Sequence, residues 1–399
     1  MCPGRLGLLM LLLAASGCYK VKGALEAGTS ARSELALPAK EPFSEALLSR
    51  LRVPPGFRVE VFAQGLEGPR ILALAPDGSV LVSRPGQGDV LRLRDGDGDG
   101  RAEEVRPVLS GLKGVHGLAV HAGQLYLAAP GTLWAAPLGA DGTPGAVRAL
   151  VTDLPPGGQH DKPTLGVGPD GKLYLSVGSS CNVCAGEGDA RALLLRFDLE
   201  GSGREVFARG LRNTLGFAWH PDTGALWGMD HGSDHRGNDL PPEELNELKA
   251  GRDYGWPYVF GARQPDLLFE PPEGQTREAY AERTEPMVLG YQAHSAPIQL
   301  LFHDGRGLPA QLRGDGFVTL HGSWNRDPPT GYKVVRLRFE QGRPARFEDV
   351  LTGVLSPDRK RQVGRPAGLL QLRDGSLLVG DDTNGVLYRV RYVGAPAGG

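Results

Sequence analysis

The sequence predicts an all-β chain folded as a six-bladed β-propeller. Hydrophobic residues alternate with period two in short runs, and turns rich in Gly, Asp and Pro separate those runs at quasi-regular spacing. Six units can be counted. They are LALAPDGSVLVSRPGQGDVLRL (Leu72–Leu93), GLAVHAGQLYLAAPGTLWAA (Gly117–Ala136), LGVGPDGKLYLSVG (Leu165–Gly178) followed by LLLRFD, GFAWHPDTGALWGMDHG (Gly216–Gly232), GFVTLHGSWN with YKVVRLRF (Gly316–Phe339), and GLLQLRDGSLLVGDDTNGVLYRV (Gly368–Val390). The turn glycines Gly78, Gly123, Gly171, Gly224, Gly316 and Gly375 lie mostly about 45 to 60 residues apart, the range of a four-stranded blade. The long gap between Gly224 and Gly316 predicts an insertion. A blade buries its faces only against its neighbours, so the ring must close, and the strand FRVEVF (Phe57–Phe62) is placed to complete the last blade.

A chain of 399 residues can bury a large core. Its 44 Lys and Arg nearly cancel its 46 Asp and Glu, which disfavours nucleic acid or a charged membrane surface as partner. The start, MCPGRLGLLMLLLAASGC, has the basic end, short apolar run and small residues of an export signal over residues 1–17. Ala15-Ser16-Gly17-Cys18 resembles a bacterial lipobox, so Cys18 is the expected lipidation site and residues 18–52 the expected tether. Residues 53–393 would then form the propeller, held outside the cytoplasm and touching a membrane only through the anchor. In that compartment Cys181 and Cys184 read first as a short-loop disulfide, with a redox-active pair or unpaired thiols as the alternatives.

Three motifs follow one another along the chain: GGQHDKPTLGVGPDGKLYLSVG (Gly157–Gly178), GLRNTLGFAWHP (Gly210–Pro221) and DHGSDHRGNDLPPEELNELKAGRDYGWP (Asp230–Pro257). From about Val53 to about Tyr392 the chain resembles the soluble quinoprotein sugar dehydrogenases, specifically the glucose/sorbosone dehydrogenase group that uses pyrroloquinoline quinone (PQQ). On its own His160 would read as a structural histidine. The resemblance implies that it is a base for a hydroxyl proton, oriented by Asp161 or another carboxylate, with Gln159 beside the cofactor. Arg212 and Asn213 match the family's cofactor-contacting pair, in which a guanidinium binds the anionic ring and steadies charge on its reduced form. Thr214 stands where the family has proline.

The resemblance further implies a calcium held by the backbone carbonyls of Gly232 and Ser233, and a second one supported by the segment carrying Glu244 and Tyr254, where Gln264 replaces an acid. Arg365 fits an arginine of the last blade that reaches the cofactor, and Arg326 and Lys333 are the cationic candidates of the blade before. His116 and His294 could also line the pocket. Asn325 stands in place of a lysine, and Val115-His116 in place of Gln-Asn. Independently of the resemblance, DGDGDGRAEE spaces Asp95, Asp97 and Asp99 as a short calcium loop does, or as a solvated turn does.

The expected activity is therefore PQQ- and calcium-dependent oxidation of a sugar or alcohol. Electrons would pass to an external cytochrome or quinone, because the chain has no CxxCH haem site. A calcium-dependent lactonase or a non-catalytic binding propeller are the rivals, since fold does not fix function.

Overall fold

The computed structural model describes residues 35–187 and 190–394. The export signal and Cys18 lie outside the described residues. Six four-stranded antiparallel sheets form the blades. The first contains Leu72–Leu74, Val80–Arg84, Asp89–Arg94 and Glu104–Leu109. The second contains Gly117–His121, Gln124–Ala129, Thr132–Pro137 and Arg148–Val151. The third runs from Leu165–Val167 through Leu173–Val177 and Leu193–Phe197 to Glu205–Arg209, with Arg252–Asp253 added in parallel. The fourth contains Thr214–Trp219, Leu226–Asp230, Glu243–Glu247 and Leu289–Tyr291, and the fifth Pro297–Phe302, Gly316–Leu320, Lys333–Glu340 and Arg343–Leu351. The sixth joins Pro366–Gln371, Leu377–Asp381 and Val386–Tyr392 to the early strand Phe57–Ala63, so the ring closes by pairing its two ends as expected.

Alternation explains the packing. Val80 and Val82 face the sixth blade while Leu81 between them faces the second. Leu173 and Leu175 likewise face the second blade while Tyr174 faces the fourth. Each of the six blade-to-blade interfaces thereby acquires its own buried apolar cluster. A fully buried Leu or Val is worth roughly 1.5–3 kcal/mol, so the closed ring is held by its interfaces rather than by one central nucleus.

Two expectations change. Gly316 is no turn glycine: it begins the second strand of the fifth blade, whose innermost strand is Pro297–Phe302 and whose connection spans residues 303–315. The predicted insertion lies between the third and fourth strands of the fourth blade and holds a hairpin of Val259–Phe260 with Gln264–Pro265 and a short helix, Arg277–Arg283. Part of the range expected as a tether also packs on the propeller. Ala39–Lys40 pairs in parallel with Arg361–Gln362, and Phe43, Leu47 and Leu48 pack on the cluster between the fifth and sixth blades, because these apolar side chains find a covering surface there.

Candidate functional site

In each blade the start of the first strand and the end of the second lie at the same end, so six such pairs share one rim. The rim residues of the fourth and sixth blades repeat one device. The buried Asp230 carboxylate accepts the amides of Arg212 and Asn213 at 2.9 and 2.7 Å and the Thr214 hydroxyl at 2.8 Å. In the sixth blade Asp381 accepts the Arg365 amide at 2.9 Å. Each aspartate ends a second strand and fixes the backbone of an arginine before a first strand.

His160 is held against the third blade. Its amide donates to the Ser179 carbonyl at 3.2 Å and the Gln159 amide to the Ser180 carbonyl at 2.8 Å, which continues strand-like pairing past Val177. Gly178 permits this approach, since a Cβ there would sit 2.5 Å from the His160 Cβ and 2.9 Å from Asn213 Oδ1. His160 Nδ1 lies 2.7 Å from Ser179 Oγ, which is also 2.8 Å from the Cys181 carbonyl. A hydroxyl has one proton and the carbonyl can only accept it, so Ser179 receives the proton of Nδ1 and Nε2 carries the lone pair. Burial, reinforced by Arg212 and His231 nearby, lowers the His160 pKa to about 3, leaving a neutral ring that is a weaker base than a free imidazole.

Arg212 is only 3% exposed. Its Nε donates to the Asn182 carbonyl and its Nη2 to Asn182 Oδ1, both at 2.8 Å, and Nη2 also reaches Asp234 at 3.3 Å. Burial lowers its pKa, against the opposing pull of Asp234 and Asp230. Asn213 Nδ2 lies 3.5 Å from Nδ1 of His231. His294 Nε2 meets the Gly237 carbonyl at 2.8 Å, and Asn325 donates to Asp234 at 2.7 Å.

A second group faces it across the rim. Asp382 pairs with Arg70 and lies 3.0 Å from His321 Nε2. Burial alone would raise its pKa, but His321 and Arg70 outweigh that and hold the carboxylate ionised. Arg365 donates to the His321 and Gly322 carbonyls and stands over the Tyr332 ring at 5.6 Å. His116 is fully buried with Nδ1 3.0 Å from the Pro163 carbonyl, and burial with Arg70 nearby keeps its pKa well below the usual imidazole range. His231 Nε2 meets the Pro297 carbonyl and the His321 amide donates to the neighbouring Ala296 carbonyl at 2.9 Å, so one short segment bridges the two groups.

Among the described residues the buried atoms His116 Nε2, Arg70 Nε and Thr164 Oγ1 have no hydrogen-bond partner. Neutral imidazoles, unspent donors and several guanidiniums around one axis fit a planar polyanion such as PQQ. The Gly232–Ser233 turn is rich in oxygen. A Cβ on Gly232 would lie 2.7 and 2.9 Å from the carbonyls of Pro241 and Pro242, and Glu243 Oε2 accepts the Gly232 amide at 3.0 Å. Oxygen donors of this kind suit calcium.

Other expected residues are engaged in contacts of their own. Lys333 begins a strand and reaches outward to Asp349 at 2.7 Å, so it does not join the rim group. Arg326 spends its guanidinium on the Asn238 and Pro328 carbonyls and on Asp239, acting as a brace between loops. The Glu244 carboxylate accepts the Gly261 amide and the Asn246 side chain, and the Tyr254 hydroxyl donates to the Glu247 carbonyl, so the two tie the insertion to its blade and share no contact. Strand alternation turns Glu243 toward Gly232 instead. Asp161 pairs with Lys162 rather than with His160. Asp95, Asp97, Asp99 and Glu103 bring carboxylate oxygens within 4.8 Å of one another on an exposed turn. Cys181 and Cys184 form a disulfide.

Ser179, Asn182, Arg70, His321, Asp382 and Asp234 were not singled out from sequence. Aligning the repeats would have flagged several of them: Arg70 precedes a first strand as Arg365 does, and Ser179, His231, His321 and Asp382 each follow a second strand.

The fold and rim define a closed six-bladed propeller with a cationic, histidine-lined centre. The chain belongs to the TrAA12-like family, whose profile matches residues 51–393. It is 27% identical over 365 residues to an uncharacterised protein of Borreliella burgdorferi, covering 88% of this chain and 93% of that one. It is also 26% identical to the pyrroloquinoline quinone-dependent pyranose dehydrogenase of Coprinopsis cinerea, over 87% of this chain but only 55% of that protein, so it spans about half the length of that relative. The holo PQQ domain of the Coprinopsis pyranose dehydrogenase superposes with a TM-score of 0.73 at 23% identity, covering 89% of this chain and 98% of that one. The PQQ-bound aldose sugar dehydrogenase of Streptomyces coelicolor does so at 0.60 and 19%, covering 85% and 100%. These likenesses establish the shared propeller fold.

Proposed function

We propose that the protein is a PQQ- and calcium-dependent dehydrogenase of sugar or alcohol hydroxyls. The observation that carries this is the neutral His160, with its Nδ1 proton committed and Nε2 bare, beside buried Arg212. Arg212, Asn213, Arg365, Arg70 and His116 are the residues that would hold PQQ, and the Gly232 and Ser233 carbonyls those that would hold calcium. When bound, PQQ supplies a two-electron acceptor. His160 Nε2 takes the hydroxyl proton, and the guanidinium of Arg212 stabilises negative charge that develops beside it. The remaining partners are a small-molecule substrate and an external electron acceptor, cytochrome or quinone.

Reconstitution of purified apoprotein with PQQ and calcium, followed by dye reduction with a panel of aldoses, tests the reading. Dye reduction that needs PQQ and an aldose supports it, and no PQQ binding would remove it. The same proposal places the protein outside the cytoplasm, anchored through lipidated Cys18. Palmitate labelling lost in Cys18→Ala is the expected result. Among the described residues no helix is long and apolar enough to cross a membrane.

A further inference from the structure

The Cys181–Cys184 disulfide encloses two residues, one of which is Asn182. Loop-closure stabilisation grows with loop length, so so small a loop contributes little to global stability. Its contacts are local and concentrated on the site. The Asn182 carbonyl and Oδ1 each accept from Arg212 at 2.8 Å. The same Oδ1 accepts the Asp234 amide at 2.8 Å, and Asn182 Nδ2 donates to the Asp234 carbonyl at 3.1 Å. One side chain therefore ties Arg212 to the turn that follows Gly232 and Ser233. Next to Asn182, the Cys181 carbonyl accepts the Ser179 hydroxyl, and that hydroxyl faces His160 Nδ1. Ser179 also donates its amide to the Arg212 carbonyl at 2.9 Å. Beyond the disulfide, Ser180 donates its amide to Glu187 at 2.9 Å, closing the loop's outer side.

We propose that the Cys181–Cys184 loop is a positioning clamp, which through Ser179 fixes the ring of His160 and through Asn182 fixes the guanidinium of Arg212. The inference rests on the dehydrogenase reading for its catalytic consequence, but not for its geometry. If the Cys181 carbonyl moves, the Ser179 proton is free to turn toward His160, Nδ1 can then accept, and Nε2 loses its lone pair to the other tautomer. If Asn182 is shortened, the guanidinium loses its Oδ1 contact and keeps only the main-chain carbonyl there, and displacement of a reacting group by about 1 Å can cost on the order of 10²-fold in rate.

Two measurements test the clamp. In apoprotein, imidazole nitrogen NMR should show His160 protonated at Nδ1 and bare at Nε2, and a Cys181→Ser/Cys184→Ser variant should show a mixture of tautomers while its Tm stays close to that of the parent. An unchanged tautomer in the folded variant would overturn the disulfide's role. In PQQ-loaded enzyme, Asn182→Ala should lower kcat by roughly 10- to 100-fold with little change in KM, and most of that loss should vanish in an Arg212→Ala background, where the Oδ1 contact to the guanidinium is already gone and only the Asp234 contacts remain to be lost. An equal loss in both backgrounds would overturn the link to Arg212. Absence of any PQQ-dependent activity in the parent would sink the dehydrogenase reading alone, because the apoprotein spectra still decide the clamp.

Discussion

Ser179 Oγ lies 2.7 Å from His160 Nδ1 and, because its own proton goes to the Cys181 carbonyl, it sets which nitrogen of the ring is bare. The arrangement resembles the logic of a base oriented by a third group, with a neutral hydroxyl in place of a carboxylate. His160→Ala should therefore leave PQQ binding near the parent value while slowing turnover by roughly 10²–10⁴, the usual contribution of a positioned base. Stopped-flow reduction of the loaded variant measures this, and near-normal turnover would remove His160 from the reaction.

The pH response follows from the same ring. Its folded pKa of about 3 lies below the 6.5 of an ordinary imidazole, with burial as the main cause and Arg212 second. Between those values the unfolded chain binds more protons than the folded one, so the stabilisation is complete above 6.5 and is lost as pH falls toward 3. An NMR titration of apoprotein should show His160 still neutral at about pH 5. A midpoint near the free value would contradict the burial.

Gly178 is where the rim is tightest, because a Cβ there would meet both His160 and Asn213. Gly178→Ala should cost about 1–3 kcal/mol through overpacking and push His160 away from Asn213. Chemical denaturation and turnover should both register the change. Parent-like values for both would show that the pocket gives way freely.

Much of the fold was legible because five blades join their first two strands by tight turns whose glycines announce themselves. The fifth blade hid its innermost strand, Pro297–Phe302, since residues 303–315 replace the tight hairpin with a longer connection in which Gly305, Gly307, Pro309 and Gly314 spread the turn signal instead of marking one turn between two strands. At the site, His160 and Arg212 were legible through local motifs. Asn182 and Asp382 were not, because their partners Arg212, Asp234, Arg70 and His321 come from other blades, and only tertiary packing brings these together. Lys333 misled for a related reason: a strand's first residue can turn toward the outer edge, and Asp349 draws it there.

Cys181 and Cys184 should resist alkylation in protein exported and purified without reductant, and become reactive after reduction. Mass spectrometry of the peptide spanning both residues gives the answer directly. Ready labelling of both thiols before reduction would show that the loop is open.

The last prediction joins metal and cofactor. Gly232 and Ser233 lie on the same turn as Asp234, which pairs with Arg212, so ligands bound at the carbonyls and at the guanidinium would share one rigid segment. If both bind there, each tightens the other's affinity by the same factor, because linkage is reciprocal. Chelation should weaken PQQ binding and calcium should restore it. Ser233→Ala should change little, since the ligand atom is a main-chain oxygen, whereas Arg212→Ala should weaken PQQ binding or slow its reduction. Calorimetric titrations of PQQ with and without calcium measure the coupling. PQQ affinity indifferent to calcium would separate the two sites and leave the dehydrogenase reading standing without a shared centre.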